Sequence, residues 1–286
     1  DSKTPVYFLI LSSLLNIALD LLFIVQIGTG TAGAAYATVI SQAVSGILCL
    51  IYMKKKFEIL HMHHEETRIS GRHIYILCKM GVPMGLQYSI TAIGSVVIQT
   101  AINSLGSIAV ASVTAGQKIG MFFCCPFDAL GGTMATYAGQ NMGARQPERV
   151  SRGLGQGVLV SLLLTAALCL CQLFGRRLIA GAFKLDEAAA AICDQHLLAS
   201  ALTMPIFAIY FPANGMFQGV GEGFFATFCA LLALGLRVVF AYCLYQTTRF
   251  GYTAIWWSQA MAWTAALLTC YTHFFRGGWK KKNLVR

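Results

Sequence analysis

The sequence predicts an all-α polytopic membrane protein with about eight transmembrane helices. Hydrophobic residues make up 57% of the 286 residues and charged residues only 11%, whereas soluble domains carry about 25% charged residues. The apolar runs are long, and they do not alternate strictly with polar residues. Because a bilayer admits only helices and closed barrels, runs of this kind favour helices.

Eight apolar runs are expected to form the spans, since a helix of about 20 residues crosses the hydrocarbon core. They cover residues 5–27, 33–53, 74–102, 107–139, 153–175, 188–217, 224–247 and 253–275. Prolines inside the third, fourth and sixth spans, at Pro83, Pro126, Pro205 and Pro212, predict kinks. The ten cysteines lie mostly within spans, so we expect packing residues rather than disulfides or metal ligands.

The basic residues indicate the orientation of the chain. Most of the 21 lysines and arginines lie in alternate short loops and at the chain ends, which predicts a multi-pass plasma membrane protein with both termini in the cytoplasm. The net charge of +10 would also suit a nucleic-acid partner, but its location in loops argues against one. We expect a monomer whose partner is the lipid bilayer.

One long polar segment, residues 54–73, divides the chain and is expected to be a cytoplasmic linker between lobes. Residues 1–53 would form the last two helices of an N-lobe, and 74–286 a six-helix C-lobe with a basic cytoplasmic tail. The histidines of the linker, His61, His63 and His64, are typical of a solvated loop. No metal or cofactor is predicted.

A weak internal repeat supports this division. Residues 1–5 and 222–226 each open a span, and Ser41-Gln42 and Ser258-Gln259 each lie in the span that follows. The first two spans would then correspond to the last two. By this repeat the N-lobe would lack about four upstream helices of a transporter with six plus six spans.

The acidic residue of the first span, Asp20, is the strongest functional candidate. It lies about 22 Å along the predicted helix, where an acid costs about 2.5–3.5 kcal/mol on insertion scales. Asn16 lies one turn earlier on the same face. Carboxylate and amide oxygens suit a proton, Na⁺ or a cationic substrate. The alternative is a neutral, hydrogen-bonded Asp20 with only a structural role.

Polar residues in later spans are weaker candidates. Asp128, close to Pro126, faces a substrate cavity or pairs with Lys118. Arg237 is expected to have a structural partner inside the bundle, because a cation exporter gains nothing from a cation in its pathway.

Amide and aromatic side chains are further cavity candidates. Gln87, Gln99 and Asn103 of the third span line a cavity or bond neighbouring helices. Aromatic residues such as Phe122 and Tyr210 form a surface for flat cations, or simply pack.

Several runs resemble the multidrug and toxic compound extrusion (MATE) family. Asp1-Ser2-Lys3-Thr4-Pro5 with Asn16 and Asp20, followed by Gly33-Ala34-Ala35, Thr38 and Ser41-Gln42, resembles its fifth and sixth helices. Gly81-Val82-Pro83-Met84-Gly85 resembles the start of the seventh. Ala129-Leu130-Gly131 with Gly139-Gln140-Asn141-Met142-Gly143-Ala144 resembles the end of the eighth and the loop after it.

The resemblance implies alternating access between two six-helix lobes, with small cationic or amphipathic compounds exported in exchange for H⁺ or Na⁺. Asn16, Asp20 and Thr38 match residues of the family's N-lobe cation site. Some members carry an acid pair in the C-lobe, but the comparable positions here are Thr91 and Phe207. This departure favours coupling through Asp20 and leaves Thr91 as a cavity candidate.

Other functions remain open at this point. A lipid-linked sugar flippase of the same superfamily would be expected to have a more cationic cavity than Arg237 and Lys118 provide. A polytopic membrane enzyme would need a catalytic set near one face. The spans contain only two histidines, His196 and His273, and only His196 has an acid nearby, at Asp194. A third alternative is an inert remnant, a chain that lacks upstream helices and does not transport. We expect a transporter rather than an enzyme.

Overall fold

The computed structural model describes residues 3–57, 70–103, 107–182, 187–247 and 252–281. Within these ranges the chain forms eight α-helices and no strand. The helices are α1 Lys3–Asp20, α2 Gly30–Lys56, α3 Gly71–Asn103, α4 Ser107–Gly143, α5 Pro147–Ala182, α6 Glu187–Gly219, α7 Gly223–Thr247 and α8 Tyr252–Arg276. A π-helical segment, Leu21–Gln26, continues α1, and a short 3₁₀ turn, Gly278–Lys281, follows α8.

The eight predicted helices are confirmed, and most of their ends agree with the sequence to within a few residues. The exception is α5, which begins at Pro147 and is longer than predicted at both ends. Proline at the first helical position and Glu148 in the first turn both favour a helix start there. The helices also continue through all four internal prolines.

Length and composition make five helical segments suited to cross a membrane. These are Lys3–Gln26, Gly30–Lys56, Pro147–Arg176, Glu187–Gly219 and Gly223–Ala241. The helices α3, α4 and α8 are also at least 25 residues long. The chain is therefore a multi-pass membrane protein.

The chain divides into two compact units, Asp1–Ser70 and Gly71–Arg286, which we call the N-unit and the C-unit. The boundary falls inside the segment predicted as a linker. Residues 58–69 of that segment, with the histidines at 61, 63 and 64, lie outside the described residues.

In the N-unit, α1 packs on α2 through a row of small residues. Gly33, Ala37 and Ser41 are the buried residues of α2 and are spaced one turn apart, a pattern that lets helices approach closely in membranes. A Cβ at position 33 would collide with the Thr29 side chain and crowd Phe23. The apolar side chains of α1 remain largely exposed.

In the C-unit, α4 and α6 touch backbone to backbone. A Cβ added to Gly215 would collide with the Gly131 carbonyl, and one added to Gly219 with the Ala135 carbonyl. Both pairs are spaced four residues apart, as in small-xxx-small helix contacts. This crossing fixes the positions of the two helices that contribute most of the polar cavity described below.

An aromatic cluster holds α8 against α6. Trp263 of α8 lies 5.0 Å from Tyr210 and 5.2 Å from Phe207, centroid to centroid. Nearer the other end of α8, His273 Nε2 lies 2.7 Å from Glu222 Oε2 at the α6–α7 turn. The C-unit therefore has the interlocked core that the N-unit lacks.

Candidate cation site and polar cavity

Two of the three predicted cation ligands are in contact in the N-unit. Asn16 of α1 donates from Nδ2 to Thr38 Oγ1 of α2 over 3.4 Å, and Thr38 donates in turn to the Ala34 carbonyl, 2.9 Å away. The Asn16 amide oxygen is not used by this bond. The contact joins α1 and α2 at the level where the sequence placed the site.

Asp20 lies one turn beyond Asn16 and is the last α-helical residue of α1. Its Oδ1 is buried and has no hydrogen-bond partner among the described residues. A buried carboxylate oxygen without a donor leaves its desolvation cost uncompensated. A bound proton or cation would supply the missing interaction.

The π-helical segment begins directly after Asp20, at Leu21. Single turns of π-helix occur frequently at functional sites. The Thr29 amide and hydroxyl both donate to the Phe23 carbonyl, at 3.0 and 2.7 Å, which closes the connection to α2. The backbone thus departs from α-helical geometry next to the acid, a feature that the apolar sequence Leu21–Gln26 does not signal.

A polar cavity of about 300 Å³ lies within the C-unit. Five helices contribute to its wall, namely α3, α4, α6, α7 and α8. The polar residues that line it include Gln117, His196, Ser200, Thr203, Arg237 and Gln259. Phe207 and Trp256 provide apolar surface beside them.

Arg237 brings a positive charge to this cavity. Its Nε is buried without a hydrogen-bond partner in the described structure, and it joins none of the ion pairs found there. The structural partner expected for Arg237 is not among the ion pairs of the described residues and stays a prediction.

The His196 side chain packs against the backbone of α4. An added Cβ at Gly116 would meet its Nδ1, so the imidazole packs directly on that glycine. Its ring also lies 5.4 Å from that of Trp256. Nδ1 is buried and has no hydrogen-bond partner in the part of the chain that is described.

None of the cavity candidates named from the sequence belongs to the described wall of this cavity. Asn103 accepts a bond from Gln99 Nε2 over 3.0 Å, and Thr91 donates to the Gln87 carbonyl over 2.7 Å. Oδ1 of Asn103 and the carbonyl of residue 87 are therefore occupied within α3 itself. The role of these four residues in a substrate cavity stays a prediction.

The remaining candidates differ in exposure. Phe122 is 75% exposed and Tyr210 only 2%, and the Tyr210 hydroxyl accepts a bond from Asn214 over 3.0 Å. Asp128 is exposed on α4 and makes no ion pair with Lys118 in the described structure. Their role in substrate binding also stays a prediction.

The sequence did not single out Gln117 or Gln259 as cavity residues. One signal was available, because Gln259 belongs to the Ser258-Gln259 half of the internal repeat. Nothing in the sequence distinguishes Gln117 from the other polar residues of α4. Its position on the wall follows from the way five helices pack.

Comparisons with known proteins agree with this architecture. A probable multidrug resistance protein of Bacillus subtilis (strain 168), YoeA, is 24% identical over 100% of this chain. A second probable multidrug resistance protein of that organism, YpnP, is 29% identical over 99% of it. In both cases the chain spans 63% of the relative's length.

A solved structure shares the fold. The crystal structure of a MATE protein in complex with MaL6 superposes with a TM-score of 0.89 at 21% sequence identity, covering 96% of this chain and 63% of that one. The MatE family model matches residues 83–243, which is more than half of the chain. The chain therefore belongs to the MatE family.

Proposed function

We propose that this chain acts in secondary active export, moving small cationic or amphipathic compounds out of the cell in exchange for H⁺ or Na⁺. The observation that carries the proposal is the N-unit cluster, in which Asn16 and Thr38 touch and the Asp20 carboxylate has a buried oxygen without a donor. The names of the multidrug relatives support the substrate class.

The coupling step follows from the chemistry of these three side chains. A proton on Asp20 removes its charge, and Na⁺ finds hard oxygen ligands in the carboxylate, the Asn16 amide and the Thr38 hydroxyl. Either event changes the energy of packing α1 on α2. Ion and substrate would then favour different facing states, which is the requirement for alternating access.

The distribution of basic residues supports a location in the plasma membrane with both termini in the cytoplasm. In that orientation α1 runs outward, and Asp20 lies in the outer half of its span. The ion gradient would then load the site from outside. The proposed activity is transport, and it needs no cofactor beyond the coupling ion.

The test is ion-driven export by Asp20→Asn in everted membrane vesicles, with Na⁺ and H⁺ gradients imposed separately. We expect the variant to insert normally and to lose export under the gradient that drives the unmodified protein. Ser13→Ala, an exposed substitution on the same helix, is the matched control and should export normally.

Two results would overturn the proposal. One is unchanged export by Asp20→Asn. The other is an unmodified protein that accumulates no cationic dye under either gradient, although it is inserted and folded.

A further inference from the structure

The C-unit cavity carries a charge opposite to that of the N-unit cluster. Arg237 lies near the middle of α7, about 21 Å from its first residue, and lines the cavity with its Nε unbonded within the described structure. An arginine at this depth of a span is costly, and such residues normally pair with an acid or mark a ligand pathway.

None of the five described acids of the C-unit forms an ion pair with Arg237. Three of them form ion pairs at other places: Asp194 Oδ1 with Arg176 Nε at 3.1 Å, Glu222 Oε2 with His273 Nε2 at 2.7 Å, and Glu148 Oε1 with Lys280 Nζ at 3.0 Å. The other two described acids, Asp128 and Glu187, do not line the cavity. No acid is found on the wall as far as it is described.

The neighbours of Arg237 on the wall are hydrogen-bond donors. Gln117 and Gln259 offer amide hydrogens, Ser200 offers a hydroxyl, and His196 has a buried ring nitrogen that is unbonded within the described residues. The Thr203 hydroxyl already donates to the Ser200 carbonyl over 2.8 Å. A guanidinium surrounded by donors suits a carboxylate or phosphate, because planar guanidinium groups bind such anions through paired hydrogen bonds.

The volume of the cavity sets the size of the bound group. About 300 Å³ lies at the lower end of the range for small-molecule sites and is roughly ten times the share of one liquid water molecule. It therefore admits an acidic group and the adjoining part of a carbon chain. Phe207 and Trp256 offer that chain an apolar surface.

We propose that the C-unit cavity is a binding site for the acidic group, a carboxylate or phosphate, of a small amphipathic molecule. The site lies wholly within the C-unit and does not rest on ion coupling through Asp20. It extends the range of ligands from cationic compounds to anionic and zwitterionic ones.

The experiment measures binding to the purified chain in phosphatidylcholine nanodiscs. The probe is dansyl-undecanoic acid, and its uncharged carboxamide serves as the matched ligand. We expect the acid to bind about tenfold or more tightly than the amide, the ratio expected of a charge-assisted hydrogen bond. Equal affinities would overturn the proposal without any substitution.

Substitutions then test whether Arg237 causes the preference for the acid over its carboxamide. Arg237→Gln should remove it, and Arg237→Lys should retain part of it. Lys118→Gln is the control, because it removes a positive charge from an exposed position of α4 that does not line the cavity. The assignment would be overturned if folded Arg237→Gln kept the preference for the acid. It would also be overturned if Lys118→Gln lost that preference to the same extent.

A second arm identifies the source of the acidic group. Nanodiscs that contain phosphatidylglycerol present an anionic headgroup to the same cavity. Competition by this lipid identifies a headgroup as the ligand, and unchanged probe affinity identifies a free solute. Both results support an anion site in the C-unit.

Discussion

The N-unit and the C-unit each hold a charged side chain with one buried atom that lacks a hydrogen-bond partner in the described structure, but the two charges have opposite sign. In the N-unit it is Asp20, and in the C-unit it is Arg237. When residues 1–5 are aligned with 222–226, Asn16 falls on Arg237. Corresponding positions of the two helices therefore carry polar residues of different chemistry, one beside the proposed cation site and the other on the wall of the proposed anion site.

The two units also differ in how firmly they hold their sites. In the C-unit, the backbones of α4 and α6 touch at Gly131 and Gly215, and an aromatic cluster fixes α8. In the N-unit, α1 has no buried residue, and a π-helical segment adjoins Asp20. A site whose occupancy must change helix packing is expected in the looser unit.

The largest effect is expected from a crossed pair of substitutions. Asp20→Asn should reduce ion-driven export to background, because an amide cannot take up a proton and binds Na⁺ weakly, while binding of the dansyl acid stays unchanged. Arg237→Gln should instead weaken binding of the dansyl acid, while export remains dependent on the ion gradient. The measurements are initial export rates and probe affinity. If each variant impaired both, the two sites would not be independent.

A second prediction concerns the rigidity of the C-unit. Gly215→Ala places a methyl group against the Gly131 carbonyl, and we expect a loss of about 1–3 kcal/mol of stability, as for other overpacked interiors. Gly132→Ala is the matched control, because nothing lies within 4 Å of its added Cβ. Thermal unfolding in detergent measures both. Equal melting temperatures of Gly215→Ala and Gly132→Ala would show that the α4–α6 contact accommodates the added methyl group.

A third substitution reaches the C-unit cavity indirectly. Gly116→Ala displaces His196 from its place on α4, so the affinity for the dansyl acid should fall by about threefold to tenfold, the loss of one hydrogen bond. Gly132→Ala again serves as the control. Titration of the probe at constant pH provides the measurement. An unchanged affinity would remove His196 from the anion site.

The smallest effect is expected at Thr38. Thr38→Ala removes the hydroxyl that accepts from Asn16, and the coupling ion should bind about threefold more weakly, since a neutral hydrogen bond contributes about 1 kcal/mol or less here. Thr31→Ala, at an exposed position of the same helix, should have no effect. The ion concentration that gives half-maximal export measures the change. Similar shifts in both variants would exclude a specific role for Thr38.

Much of the fold followed from the sequence, because length and hydropathy suffice to define helices that must satisfy their own backbone in a membrane. The family resemblance assigned Asn16 and Thr38 to one cation site, and the two side chains are in contact, while their role as ion ligands stays a prediction. The role of Arg237 was not predicted, since its surroundings depend on five helices that are distant in sequence. Counting charges could not show that Asp194 and Glu222 are engaged with Arg176 and His273.

Local sequence patterns had limits of a different kind. The start of α5 was missed although Pro147 and Glu148 signal it. The glycines of the α4–α6 crossing look like many others, and only the contact between Gly131 and Gly215 shows which of them are required.

The π-helical segment after Asp20 changes the angular phase of the first membrane helix. An α-helix advances by about 100° per residue, and a turn closed by wider π-type bonding makes the residues beyond it lag behind that progression. Side chains from Leu21 to Gln26 therefore point elsewhere than a helical wheel drawn from Lys3 would show. A cysteine-accessibility scan along this helix should show one periodic pattern up to Asp20 and a shifted one after it.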